Sequence, residues 1–201
     1  MQRPKILLFA GSTRTGSHNE RFAGTLAKVL TLKEAEVTRI SLRDYPLPIF
    51  HGDDEAENGP PENAVKLARL FHFHDAVVIV SPEYNASFTP LLKNTIDWVS
   101  RIKMDENGPL FPYRNKIFAI ASASPGKFAG MRSLIHLRAC LVSTGALVLS
   151  EQVSVGNAGN AFDEQDELLD ERTRNMVDSF CDHVIEKAQL HSAGLTVGQS
   201  D

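Results

Sequence analysis

Residues Gly11-Ser12-Thr13-Arg14-Thr15-Gly16-Ser17-His18-Asn19 combine small side chains, hydroxyls and one guanidinium, with no acid among them. A turn of this kind presents several backbone N–H groups at once. A helix opening at its end adds unpaired first-turn donors and a positive dipole end. The chemistry this suits is the grip of an anion, phosphate above all. A second stretch, Pro82-Glu83-Tyr84-Asn85-Ala86-Ser87, sets an aromatic and an amide among small residues. It suits a flat heteroaromatic ring, with Tyr84 packing against the ring and Asn85 and nearby N–H groups pairing with its carbonyls and nitrogens. A third stretch, Ser122-Ala123-Ser124-Pro125-Gly126, permits close approach from the other side.

Each stretch follows an apolar run that reads as a strand: residues 5–10, 75–80 and 116–121. The β-branched run at 75–80 is typical of a strand buried on both faces of a parallel sheet. Two further strands are expected at 36–42 and 146–149, the latter with Val153 and Val155 beyond it near an edge. Helices are expected after the first turn (Phe22, Leu26, Val29, Leu30), from Pro61 (Ala64, Leu67, Ala68, Phe71), and after the second stretch (Leu92, Ile96, Val99, Ile102). Two more follow the third stretch (Leu134, Leu137, Leu141) and occupy about 163–188 (Leu169, Met176, Phe180, Val184). Five strands alternating with five helices, without repeat or break, imply one α/β domain over residues 1–201, a doubly wound parallel sheet with helices on both faces. Ligands in such folds sit beyond the carboxyl ends of the strands, so the three loaded stretches should converge on one crevice.

Residues 43–59 and 104–115 read as connections. In the first, the Pro/Ile/Phe half (45–50) is expected to fold back near a pocket or partner, and the acidic half to be solvated. The acids from 163 onward are expected at a solvated helix start, where they favour the dipole. Residues 191–201 read as a frayed tail. The net charge of -4 and the absence of an eighteen-residue apolar run argue against nucleic acid and a membrane span. Two lone cysteines, Cys140 and Cys181, suit a reducing compartment, and a cytoplasmic protein is expected.

The first turn lacks the Gly-Lys-Ser/Thr of a Walker loop. The second strand ends Ser41-Leu42-Arg43, without the acid of a dinucleotide fingerprint. A single terminal phosphate held by hydroxyls, backbone donors and Arg14 fits better. With a flat polar ring at the other end, that describes flavin mononucleotide (FMN).

The string Gly11-Ser12-x-Arg14-x-x-Ser17-x-Asn19 resembles the phosphate loop of the NADPH-dependent FMN reductases, flavodoxin-like proteins that include quinone, chromate and azo-compound reductases. Pro82-Glu83-Tyr84-Asn85-x-Ser87, followed by Leu92-Lys93-Asn94-x-Ile96-Asp97-Trp98, resembles that family's isoalloxazine loop and next helix. Ser124-Pro125-Gly126-x-x-x-Gly130 resembles its third loop. The likeness covers residues 5 to about 150 and departs from the pattern at Phe88-Thr89-Pro90 and Ala129-Gly130.

The resemblance implies a five-stranded sheet of order 2-1-3-4-5 and assigns Ser12, Arg14, Ser17 and Asn19 to the phosphate, with His18 orienting that loop. Pro82, Glu83, Tyr84 and Asn85 line the ring, and Ser122, Ser124 and Gly126 approach its other edge. Glu83 is expected to offer its backbone to the ring and to turn its side chain to a partner subunit or solvent. Backbone N–H groups of the third loop would stabilise the reduced ring, and no side chain acts as a catalytic acid, base or nucleophile. The implied activity is NAD(P)H oxidation by ping-pong hydride transfer through flavin N5, with electrons passed to quinones, FMN, chromate or azo compounds. The rival class is a non-enzymatic FMN-binding electron carrier or regulatory protein. A homodimer or dimer of dimers is expected, with Trp98 and Ile102 on a helix flanking the pocket.

Overall fold

The computed structural model describes residues 3–197. In chain order the elements are β1 (Lys5–Ala10), α1 (His18–Leu32), β2 (Glu36–Arg39), a 3-10 turn (Leu42–Asp44), α2 (Gly52–Asn58), α3 (Glu62–Phe73) and β3 (Ala76–Val80). There follow α4 (Pro90–Arg101), β4 (Met104–Asp105), β5 (Gly108–Pro109), β6 (Ile117–Ala123), α5 (Met131–Ser143), β7 (Leu147–Val155) and α6 (Glu171–Val197). Five strands form one parallel sheet in the order β2-β1-β3-β6-β7, the flavodoxin-like order expected.

The three inner strands are almost wholly apolar, with Ser122 of β6 their one buried polar residue. Every position of β3 and β6 is buried, and every position of β1 except Lys5. Alternate residues feed opposite layers, as the two-residue strand period requires. Ile6, Leu8 and Ala10 join a cluster with Phe22 and Leu26 of α1 and Phe180 and Val184 of α6. Leu7 and Phe9 join one with Leu67 and Phe71 of α3, Leu92 and Ile96 of α4, and Leu134 and Leu137 of α5. The register aligns Ala10 with Val80 and Val80 with Ala121, so β1 and β3 end level and β6 runs to Ala123 at the same edge of the sheet.

The structure corrects several expectations. The acidic half of residues 43–59 is helical: α2 buries no side chain and so shows no apolar period. Asp53, Asp54 and Glu55 in its first turn favour the helix dipole, and Arg101 of α4 donates to Glu55 at 2.8 Å. Residues 104–109 contain a minimal hairpin, β4 against β5, too short to carry an alternation. The last strand is continuous from 147 to 155, with a register shift opposite Phe118 and Ile120 that masks the period.

The final helix starts at Glu171, not near 163. The acids before it build a turn instead: Asp163 Oδ1 accepts from the N–H groups of Gln165 and Glu167, both at 2.9 Å, and Asp170 caps the helix through Thr173 N at 2.8 Å. Leu169 and Met176 stand exposed, while Val177 and Cys181 take their place beside Phe180. This helix continues past His191 to Val197, and residues 198–201 lie outside the described chain. Trp98 and Ile102 are buried within the chain at 2% and 3% exposure, so neither is free to meet a partner. Trp98 instead donates to Pro48 O at 2.8 Å and meets Phe50 edge-on, which folds the 45–50 segment onto α4.

At the opposite end of the sheet from the three loops, imidazoles surround a lysine. His74 closes α3, with Nδ1 2.6 Å from the Leu70 carbonyl, which requires the proton on that nitrogen. Lys116 Nζ donates to the carbonyls of His72 and His74. Burial, and then the nearby lysine, hold His72, His74 and His191 below the ordinary imidazole range. The unfolded chain therefore binds protons first as pH falls, so stability is fully present above about pH 6.5 and is lost below it. Thermal melts between about pH 7 and pH 5.5 should show a falling Tm. His74→Asn, which keeps a donor for Leu70, should remove part of that fall.

Candidate functional site

Loop 1 (residues 11–17) is held by its carbonyls. Gly11 O accepts from Thr89 Oγ1 at 2.7 Å, Arg14 O from Ser17 N at 3.1 Å, Gly16 O from Arg14 Nη2 at 3.4 Å, and Thr13 O from Arg43 Nη2. Ser17 caps α1 by accepting from Glu20 N at 3.4 Å, as a serine before a helix should. Among the described residues, the N–H groups of Ser12, Thr13, Thr15, Gly16, His18 and Asn19 meet no protein acceptor. With its carbonyls pinned and its donors free at a helix N-terminus, the loop is an anion cradle. Gly11 packs closely on α4: a Cβ there would lie 3.1 Å from Leu92 Cδ2.

Loop 2 (residues 81–89) leaves β3 through Ser81, whose N–H reaches Ala121 O at 2.7 Å. Tyr84 and Ser87 exchange two backbone hydrogen bonds of 2.8 and 3.0 Å around Asn85 (φ 50°) and Ala86 (φ 64°). This is the two-residue turn that demands positive φ at both central positions, where glycine normally follows asparagine. Tyr84 stands half exposed above it, at 52%. Thr89 then caps α4 by accepting from Leu92 N at 3.2 Å, while its own hydroxyl holds Gly11.

Loop 3 (residues 124–130) is folded over Ser122, whose buried hydroxyl donates to Ala129 O at 2.6 Å and lies 2.9 Å from Ser154 Oγ. The N–H groups of Ser124 and Gly126 are already engaged, by Val155 O at 2.9 Å and Ser124 Oγ at 3.2 Å. Those of Lys127 and Phe128 have no protein acceptor among the described residues.

The expected site residues therefore divide. Ser12, Arg14 and Tyr84 line one cleft of about 290 Å³ with Gly11, Thr13, Thr89, Pro90 and Leu91. Asn19 is buried, and its amide exchanges two hydrogen bonds, 2.8 and 2.9 Å, with the backbone of Ala123, which clips loop 1 to loop 3. Ser122 likewise spends its hydroxyl inside the scaffold. Glu83 corrects the expectation for its side chain. Its carboxylate, 8% exposed, accepts from Arg132 N at 3.2 Å and Nε at 2.8 Å at the start of α5, and so points to neither solvent nor a partner. This joins loop 2 to loop 3 and neutralises the one acid beside the cleft. A larger groove of about 620 Å³ between β7 and α6 touches none of the three loops.

Thr89, Arg132 and Arg43 were not anticipated. A threonine followed by proline is a readable helix start, so Thr89 had a local signal. Arg132 is 49 residues from Glu83 and had none. Neither thiol is poised to react: burial raises both, Cys181 to about 12.

A family model described as NADPH-dependent FMN reductase matches residues 4–160. The chain belongs to that family. It is 33% identical over 178 residues to an NAD(P)H-dependent FMN reductase of Pseudomonas aeruginosa, covering 86% of this chain and 89% of that one. It is 34% identical over 174 residues to a quinone reductase of Escherichia coli, covering 86% and 88%. Among solved structures, the flavoenzyme NAD(P)H:(acceptor) oxidoreductase FerB of Paracoccus denitrificans superposes with a TM-score of 0.75 at 24% identity, covering 94% of this chain and 98% of its own, a likeness of fold.

Two backbone positions in these loops can be tested directly. Gly130 has φ +83°, and a Cβ there would lie 2.9 Å from the Ser122 side chain. Gly130→Ala should cost about 2 to 4 kcal/mol. Ala86→Gly should stabilise by up to about 1 kcal/mol, because glycine accepts the left-handed conformation without strain. Urea unfolding of both variants measures the two effects.

Proposed function

We propose that the cleft between loops 1 and 2 seats FMN and that the protein is an NAD(P)H oxidoreductase which reduces quinones and similar small acceptors. The observation that carries this is that loop 1, with four free N–H groups and two more at the start of α1, lines a single cleft through Gly11, Ser12, Thr13 and Arg14 together with the half-exposed Tyr84. The phosphate belongs to the free N–H groups of loop 1, the Ser12 hydroxyl and Arg14, with Ser17 holding the start of α1 in place. Tyr84 and Asn85 belong to the ring. FMN held by these residues would supply the redox chemistry, a ping-pong hydride transfer from NAD(P)H through flavin N5 to the acceptor.

The protein's part is to bind, orient and set the charge. Donors for the negative charge of a reduced ring are the N–H groups of Lys127 and Phe128, since those of Ser124 and Gly126 are committed elsewhere. Pairing of Glu83 with Arg132 keeps a bare carboxylate from opposing that charge. FMN fits these residues: the cradle offers donors without acids, and the rim offers one aromatic. A homodimer or dimer of dimers in the cytoplasm completes the reading.

The purified protein should be yellow, or should turn yellow and quench flavin fluorescence when FMN is added. Arg14→Ala should weaken FMN binding about tenfold or more, the worth of one charge-assisted hydrogen bond. With a quinone as acceptor, double-reciprocal plots at several quinone concentrations should be parallel. FMN binding without rapid NAD(P)H oxidation would make the protein a carrier instead.

A further inference from the structure

We infer that Arg43 selects the electron donor: it forms a second anion subsite, on the outer rim of loop 1, that takes the 2′-phosphate of NADPH. The inference rests on the FMN cleft proposed above and concerns a residue outside its lining. Arg43 lies in the 3-10 turn that follows β2, and it is exposed. Its Nη2 donates to the carbonyl of Thr13, which anchors the guanidinium against loop 1 and leaves the rest of its donor fork unused. Arg14, the residue after Thr13, is also exposed and makes one long side-chain bond of 3.4 Å, to Gly16 O.

Among the described residues no carboxylate pairs with either guanidinium, and Asp44 beside Arg43 makes no ion pair with it. Arg3, Arg21, Arg39, Arg69, Arg101 and Arg132 have such partners; of the described arginines without one, Arg14 and Arg43 are the two whose guanidinium bonds to loop 1. In a chain with 25 acids against 21 bases, two unpaired arginines bonded to one short loop mark a local positive rim. The cleft is lined by Arg14 and not by Arg43, so a single FMN phosphate held by backbone donors leaves Arg43 unused. NADPH carries a phosphomonoester that NADH lacks, and the planar arginine fork matches it.

The test uses the full-length protein saturated with FMN and the variant Arg43→Gln, whose amide can still donate to Thr13 without the charge. For NADPH, kcat/KM should fall about tenfold or more, through KM, while the constants for NADH move less than about twofold. Calorimetry without turnover should show adenosine 2′,5′-bisphosphate losing affinity by a similar factor and adenosine 5′-monophosphate keeping its own. Arg43→Lys, which retains the charge, should recover part of the preference. An unchanged NADPH-to-NADH ratio in Arg43→Gln overturns the inference. So does a parallel loss of FMN affinity, which would make Arg43 a brace for the cradle. A wild-type protein that takes up no FMN is detected before any donor is added, and that result ends the reading of the cleft itself.

Discussion

Parallel pairing that brings the strand ends to one edge is the constraint on which the site depends. Ala10, Val80 and Ala121 share one register, and each strand is gripped from both faces by apolar layers. The loops that follow are thus delivered to one edge before any of their own interactions form. Three ties then lock them to one another: Thr89 to Gly11, the Asn19 amide to Ala123, and Glu83 to Arg132. Each tie crosses between loops, so none can form unless the sheet has already brought its partners together. Loop-closure entropy is therefore met mainly by core burial.

Because these side chains are consumed in positioning, recognition falls largely to backbone N–H groups. That suits a phosphate, which rewards several convergent donors, and a flavin ring, whose edges offer carbonyls and nitrogens. It also explains why the site needs unusual backbone. Ala86, Ala129 and Gly130 all have positive φ, and a left-handed residue turns successive N–H groups toward one side. Where alanine holds that conformation, its strain is balanced by the bonds that close the turn, such as Ser122 to the Ala129 carbonyl.

The two ends of the sheet divide the labour. At the carboxyl ends of the strands, donors are left free and charges are exposed. At the amino ends, Lys116 donates to the carbonyls of His72 and His74, the His74 ring donates to the Leu70 carbonyl, and the His72 ring accepts from the Phe111 N–H. Buried groups there make the fold sensitive to acid without touching the cleft.

From the sequence alone came what local pattern can encode. Runs without polar interruption declared the buried strands, small residues at their ends declared the loops, and the absence of acid in residues 11–19 declared an anion site. The family resemblance followed from those stretches taken together, and the sheet order from that resemblance. Weakly patterned elements were not legible. The wholly exposed α2 had no apolar face, β4 and β5 were too short to alternate, and the acids after 162 served a turn before the final helix began. Tertiary structure decided which polar side chains face a ligand and which hold the scaffold. Asn19, Glu83 and Ser122 read as site residues, yet their partners lie 104, 49 and 7 positions away. A hydrogen bond is satisfied by whatever acceptor the fold brings within 3 Å or so, and residue type does not name that acceptor in advance.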